Sequence, residues 1–386
     1  MLSPSIRWRR MLLRGLLLLL AVVAVVLLAW DLLVARWHET TDNAYVQGNL
    51  VQITPLIDGT VVSISAEEGM RVERGQVLVQ LDPADTEVAL QQAKADLART
   101  VRQVRGMYRS VEGSQADLAA QRAALERARA DYQRRRSLAT SGAISSEELA
   151  HARDTLASAE AMANSAREQY ERSKALVDNT VLATQPDVQA AAAQLRQAFL
   201  RHARSGIPSP VSGHVAQRAV QVGQHVQPGN VLMAVAPLNE IWVEANFKET
   251  QLRRMRLGQA VELKSDLYGS GVKYTGRIAS LGLGTGSAFA LLPAQNASGN
   301  WIKIIQRVPV RISIPAEQLA GHPLKIGLSM HADVDLHHED GTVLPDQVAS
   351  GTVFATDIYA GLLDQADALV HDIIQRNLPA GNGAKQ

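Results

Sequence analysis

The chain has 386 residues, no cysteine, and a formal net charge of +1 from 39 Lys and Arg against 38 Asp and Glu. Its hydrophobic share of 46% is that of folded protein, and the length leaves room for two or three domains. The missing cysteine excludes a disulfide scaffold, a thiolate zinc site and a thiol nucleophile, and the balanced charge gives none of the basic excess expected for binding nucleic acid.

Residues 1–10 are a short basic segment carrying Arg7, Arg9 and Arg10. Residues 16–30 are uninterrupted apolar sequence, and 11–36 reads as a transmembrane anchor because a spanning helix needs ~20 apolar residues. A cleaved signal peptide would have an apolar core of ~7–15 residues ending at a small-x-small site, and no such site is evident near Ala35. Arginines crowd the N-terminal side, with only Arg36 close behind the segment, so the positive-inside rule puts the N-terminus in the cytoplasm and everything after Trp37 outside it.

Residues 37–50 form a polar linker in which Ala44 to Val46 reads as a possible first barrel strand. From 51 to 82 short alternating runs are broken by Pro55, Gly59, Gly69 and Gly75, the pattern of small strands and tight turns. The same pattern returns at 206–237. Gly59, Gly69 and Gly75 match Gly213, Gly223 and Gly229 in steps of ten and six residues, and Val61, Val72, Val77 and Leu78 match Val215, Val226, Val231 and Leu232 in phase. One half-domain used twice is expected to close face to face as a flattened β-sandwich, split by what lies between. These halves resemble the biotinyl/lipoyl-like domain. In a carrier of that kind a lysine sits at the turn between halves. Here Leu81, Asp82 and Pro83 lead into helix, and the nearest lysine, Lys94, falls within the heptads, so a structural role is expected and carrier chemistry is the weaker alternative.

Residues 83–205 change to a period of seven. Leu90, Leu97, Val104, Val111, Leu118, Leu125 and Tyr132 recur at heptad steps, with Ala93, Met107 and Ala128 in a second column. The return arm carries Leu149, Leu156, Ala163, Tyr170 and Val177, with Ala152, Ala159 and Ala166 beside them. This predicts a long antiparallel coiled-coil α-hairpin. Gly142 suits a C-terminal cap, and Ser145 with Glu148 a capping box, so the tip is short. Asp178, Asn179, Thr180 and Pro186 predict a break, followed by a helix with Val188, Ala192, Leu195, Phe199 and His202 along one face.

From 238 to 337 strands return at 241–247, 261–264, 272–281, 308–314 and 329–336, predicting a compact β-barrel with a short helix over 248–256. The long loop 282–301 has the glycines of a phosphate cradle but no following Gly-Lys-Ser/Thr, and Asn296 heads a glycosylation sequon by pattern only. His337, His338, Glu339 and Asp340 read as a solvated turn rather than a metal site. The tail 338–386 contains an amphipathic pattern, with Leu362, Leu363, Ala366, Leu369, Val370 and Ile373 on one side, suited to docking on the body, pairing with a copy or touching the membrane.

The fold class is therefore mixed α and β and multidomain: a transmembrane helix, a split lipoyl-like β-sandwich, a coiled-coil α-hairpin and a β-barrel. With the stretches Thr41-Asp42-Asn43-Ala44-Tyr45-Val46, Ala245-Asn246-Phe247-Lys248-Glu249-Thr250-Gln251, and Gly284 to Phe289 through Leu292 to Asn296 to Gly299-Asn300-Trp301, the chain resembles membrane fusion, or periplasmic adaptor, proteins of the HlyD family, EmrA branch, from tripartite multidrug efflux pumps. The resemblance runs from about Thr40 to Leu336. It implies no catalysis and no cofactor, a single-pass protein of the bacterial inner membrane with its bulk in the periplasm, a major facilitator transporter and a TolC-like outer-membrane channel as partners, and self-association into a ring. It also implies a channel contact at the hairpin tip through Arg134, Leu138 and Ser145, which have the spacing such adaptors carry; the alternative, from the residues alone, is a solvated arginine, a coil-closing leucine and an N-cap. An adaptor of an ATP-driven type I protein secretion system shares this architecture, and direct binding of exported compounds by the coil grooves or barrel is a further alternative.

Overall fold

The computed structural model describes residues 8, 12–13, 15–25, 35–177, 180–286, 288, 305–345 and 350–378. Residues 15–25 are helical. No helix among the described residues is long and apolar enough to cross a membrane, and the expected anchor falls in part on residues 26–34, outside them. The chain then runs through β1 (His38–Gln47), β2 (Val51–Ile53), β3 (Gly59–Ile64), β4 (Arg71–Val72) and β5 (Val77–Leu81) into α1 (Ala84–Thr140), α2 (Ser146–Ala175) and α3 (Pro186–Ala203). It continues through β6 (Gly206–Pro208), β7 (Gly213–Arg218), β8 (His225–Val226), β9 (Met233–Ala236), β10 (Trp242–Lys248), β11 (Ala260–Ser265), β12 (Lys273–Leu281), β13 (Arg307–Ser313), α4 (Ala316–Gly321), β14 (Ser329–Asp335) and α5 (Leu362–Arg376).

Six antiparallel strands close a barrel in the order β1-β10-β13-β12-β11-β14. Period-two alternation sends Val243, Ala245 and Phe247 of β10 and Met330, Ala332 and Val334 of β14 inward. Tyr274 is among the largest side chains buried in this core, and its hydroxyl donates to the His322 carbonyl at 2.9 Å. The first strand is ten residues long rather than the three read from sequence, with a register shift between Thr41 and Ala44 where it pairs with β14. The short segment after β10 is a 3-10 helix, Glu249–Arg254.

Two four-stranded sheets, β2-β9-β7-β4 and β6-β5-β3-β8, share one core built from both repeats. The halves exchange strands. β4 leaves the first half to pair with β7 (Val72 opposite Gly213), and β8 leaves the second to pair with β3 (Gly59 opposite Val226). The exchange is symmetric down to single bonds: Gly69 N–H donates to the Val215 carbonyl and Gly223 N–H to the Val61 carbonyl, both at 2.8 Å. Both glycines sit at φ +83°, where a Cβ is strained. We expect Gly69→Ala and Gly223→Ala to cost about 1–2 kcal/mol each, and by nearly equal amounts because the two turns are one turn repeated. Thermal melts of the two variants check this, and unequal losses would mean the halves are not equivalent.

The helices leave the sandwich at Pro83 and return at Arg204. α1 has 57 residues, so it is about 85 Å long at ~1.5 Å per residue. α2 packs antiparallel along it with small side chains inward, Ala152 and Ala163. After the break, Pro186 occupies the first turn of α3, where its missing N–H costs nothing, and the Gln185 side chain caps the Asp187 N–H at 2.8 Å. The tail does dock on the body. Val370 and Ile374 of α5 join Leu90, Leu97, Val101 and Val104 of α1 and Val188, Ala192 and Leu195 of α3 in a single core at the hairpin root.

Candidate functional site: the hairpin tip and its mount

The tip is a tight closure. α1 ends at Thr140, the N–H groups of Ser141 and Ala143 both donate to the Leu138 carbonyl, and Gly142 turns the chain at φ +72°. Ser145 caps α2 reciprocally: its Oγ accepts from the Glu148 N–H, and Glu148 Oε2 accepts from the Ser145 N–H, each at 3.1 Å.

Arg134 and Leu138 lie one turn apart on one face of α1, with the Arg134 side chain 69% exposed and Leu138 42% exposed. Ser145 stands on the far side of the turn, and no hydrogen bond among the described residues joins it to the other two. Arg134 and Arg135 both bond to Asp131, at 2.6 and 2.8 Å. The hydrogen bond from Arg134, followed against some desolvation by the charge of Arg135, holds the Asp131 carboxyl below its ordinary value. The tip thus presents an ordered, charged and apolar edge.

At the other end, the two stretches Thr41 to Val46 and Ala245 to Gln251 are brought together in one ladder, with Ala44 opposite Ala245 and Val46 opposite Val243. Thr41 Oγ1 donates to the Asn246 carbonyl at 3.0 Å, Asn246 Nδ2 donates to Asn43 Oδ1 at 3.3 Å, and Gln251 Nε2 donates to Glu39 Oε2 at 2.7 Å. These polar residues therefore clasp the chain just after the apolar N-terminus to the barrel. Beside them the Trp37 ring stacks with His337, 4.9 Å away, and lies under the Arg254 guanidinium at 4.4 Å. Arg254 also bonds Glu339 at 2.5 Å. The residues after β14 are thus part of the clasp, a role that sequence reasoning missed, since His337 and Glu339 read as a solvated turn. Among the described residues no group of His, Asp and Glu could hold a metal ion.

A family model described as the EmrA alpha-helical hairpin domain matches residues 84–205. The multidrug export protein EmrA of Escherichia coli K12 is 45% identical over 345 residues, covering 89% of this chain and 88% of that protein. The chain belongs to the EmrA family. The fatty acid resistance protein FarA of Neisseria gonorrhoeae is 48% identical over 296 residues, 76% of this chain and 75% of its own. The solved structure of the periplasmic adaptor protein EmrA aligns over 78% of this chain and 99% of that one, at 17% identity and a TM-score of 0.40. As an EmrA-family membrane fusion adaptor, the chain has a mixed α/β adaptor fold with a helical hairpin and a six-stranded barrel, and it is a linker rather than an enzyme.

Proposed function

We propose that this protein spans the bacterial envelope as the periplasmic adaptor of a multidrug efflux pump. Residues 11–36 anchor it in the inner membrane with the N-terminus cytoplasmic. The barrel and the lipoyl-like sandwich pack around the periplasmic face of a major facilitator exporter, and the hairpin tip docks on a TolC-type outer-membrane channel through Arg134, Leu138 and Ser145. Copies related by rotation close into a ring, because a head-to-tail contact repeated about an axis either closes or runs on as a filament. Hydrophobic toxic compounds leave through the enclosed conduit.

The observation that carries this reading is the hairpin itself. A helix of 57 residues that ends in an exposed, doubly capped turn has the length of a spacer and the surface of a docking edge. The clasp at Trp37 and β1 holds the opposite end beside the N-terminal apolar stretch. Because the chain has no cysteine, Ala143→Cys places a single thiol at the tip. In cells we expect it to cross-link to an outer-membrane channel, and the same thiol placed at exposed Val88, near the root, to give no such product. A tip thiol that captures only other copies of this chain would overturn the docking assignment.

A further inference from the structure

Where the sandwich, the end of α3 and a C-terminal strap, residues 350–362 leading into α5, meet, they line a cavity of about 270 Å³. Its walls are mainly apolar: Leu56, Val77 and Ile207 from the sandwich, Ile358 and Leu362 from the strap. It is reachable from solvent, since Leu56 and Val77 remain 46% and 43% exposed. One cation lines it. Arg204 follows the last turn of α3, and its Nε is shielded from water without a hydrogen-bond partner. The arginines around it are all engaged: Arg196 with Asp367 at 2.5 Å, Arg201 with Asp58 at 3.7 Å, and Arg74 with Asp357. Among the described residues no carboxylate pairs with Arg204, and the wall also carries the hydroxyls of Thr54 and Tyr359.

A guanidinium stays charged at any physiological pH and favours planar anions such as carboxylates. A shielded guanidinium donor without an acceptor is costly unless a ligand supplies one. Apolar walls with a few converging polar groups are the general form of a small-molecule site, and this volume sits at the small end of the ~300–1,000 Å³ such sites span. From these features we infer that the junction binds a small amphipathic monoanion: a carboxylate held by Arg204, its apolar body against Leu56, Val77 and Ile358, and the hydroxyls of Thr54 and Tyr359 beside the headgroup. The strap closes one wall, so the site exists only while the C-terminal segment is docked. The inference is independent of the docking assignment at the tip, and either can fail alone.

The test uses the full chain in lipid nanodiscs, with empty nanodiscs as the blank, and two probes that share one naphthyl body, the first with an anionic headgroup and the second with a neutral one: 2-naphthoate and 2-naphthalenemethanol. Calorimetric titration should show saturable binding of naphthoate about tenfold tighter than the alcohol, the difference one charge-assisted contact gives. Arg204→Gln should erase that preference while leaving the alcohol unchanged, and Val77→Trp, which fills the cavity from a half-exposed position, should abolish both. A second readout covers a misfolded variant. Thr54→Cys puts the chain's only thiol in the wall, and saturating naphthoate should slow its alkylation. The proposal is overturned if naphthoate does not saturate, if acid and alcohol bind alike, if the arginine change leaves the preference intact, or if naphthoate leaves the alkylation rate unchanged.

Discussion

Replacing Arg134 and Leu138 together by Asp should bring drug resistance down to that of a strain lacking the protein, with the fold intact. Both side chains are exposed, so the change removes surface rather than core. Arg134 gives up its bond to Asp131, but Arg135 keeps its own, and exposed pairs of this kind add little to stability. The loss at a docking edge is of another size. An exposed apolar residue next to an arginine is the composition of an interface anchor, and removing one such anchor costs ~2 kcal/mol or more, about thirtyfold in affinity. In the proposed ring the loss would recur at every copy, and two new carboxylates on that edge add repulsion against any acidic partner. Minimum inhibitory concentrations and the cross-link from Ala143→Cys measure the effect, and circular dichroism controls for helix content. Resistance that survives both changes would show that the channel is met elsewhere.

Part of this could be read from residues alone. The heptads that run through Leu90, Leu97, Val104 and Leu118 are buried where they were expected to be. Val111 and, toward the tip, Leu125 and Tyr132 are only half-buried, whereas Leu90, Leu97 and Val104 lie in the cluster where three helices meet at the root. Alternation marked the later barrel strands but hid most of β1. The shift between Thr41 and Ala44 resets its inward face, and the polar Thr41 and Asn43 there bond to β10 instead of facing water. The repeat of glycines announced two equal halves. It could not announce that the halves trade β4 and β8, since Val72 finds Gly213 only after the whole hairpin has been traversed.

The same limit applies to the sites. The capping box at Ser145 and Glu148 is local, four residues of sequence that state their own geometry. The docking role proposed for Arg134 and Leu138 is not local at all and rests on resemblance, since one arginine among three in a row looks like any solvated face. The amphipathic stripe of α5 was legible while its partner was not. A stripe specifies that something covers it, and only the folded chain places Val370 and Ile374 against α1 and α3. The junction around Arg204 was invisible for the same reason: its walls are drawn from positions between Thr54 and Leu362.

That three-helix root is where a single side-chain truncation should be felt most. Leu97 is fully buried in the cluster shared by α1, α3 and α5, and Leu97→Ala should cost about 2–5 kcal/mol, the transfer term plus the cavity left behind. Leu125→Ala, the same chemistry at a half-buried position four heptad steps nearer the tip, should cost clearly less, because water already reaches part of that side chain. The two variants together separate local from root control of the hairpin. If the root cluster holds α5 in place, Leu97→Ala should raise hydrogen exchange and protease cleavage across residues 362–376, although these lie in no sequence neighbourhood of the change, and Leu125→Ala should not. Docking of α5 is also backed by polar contacts outside the cluster, Arg196 to Asp367 at 2.5 Å and Arg102 to Asn377 at 2.8 Å. Exchange that stays slow in Leu97→Ala would therefore shift the weight from apolar packing to those contacts, and equal losses of thermal stability at Leu97 and Leu125 would remove the root's special standing altogether.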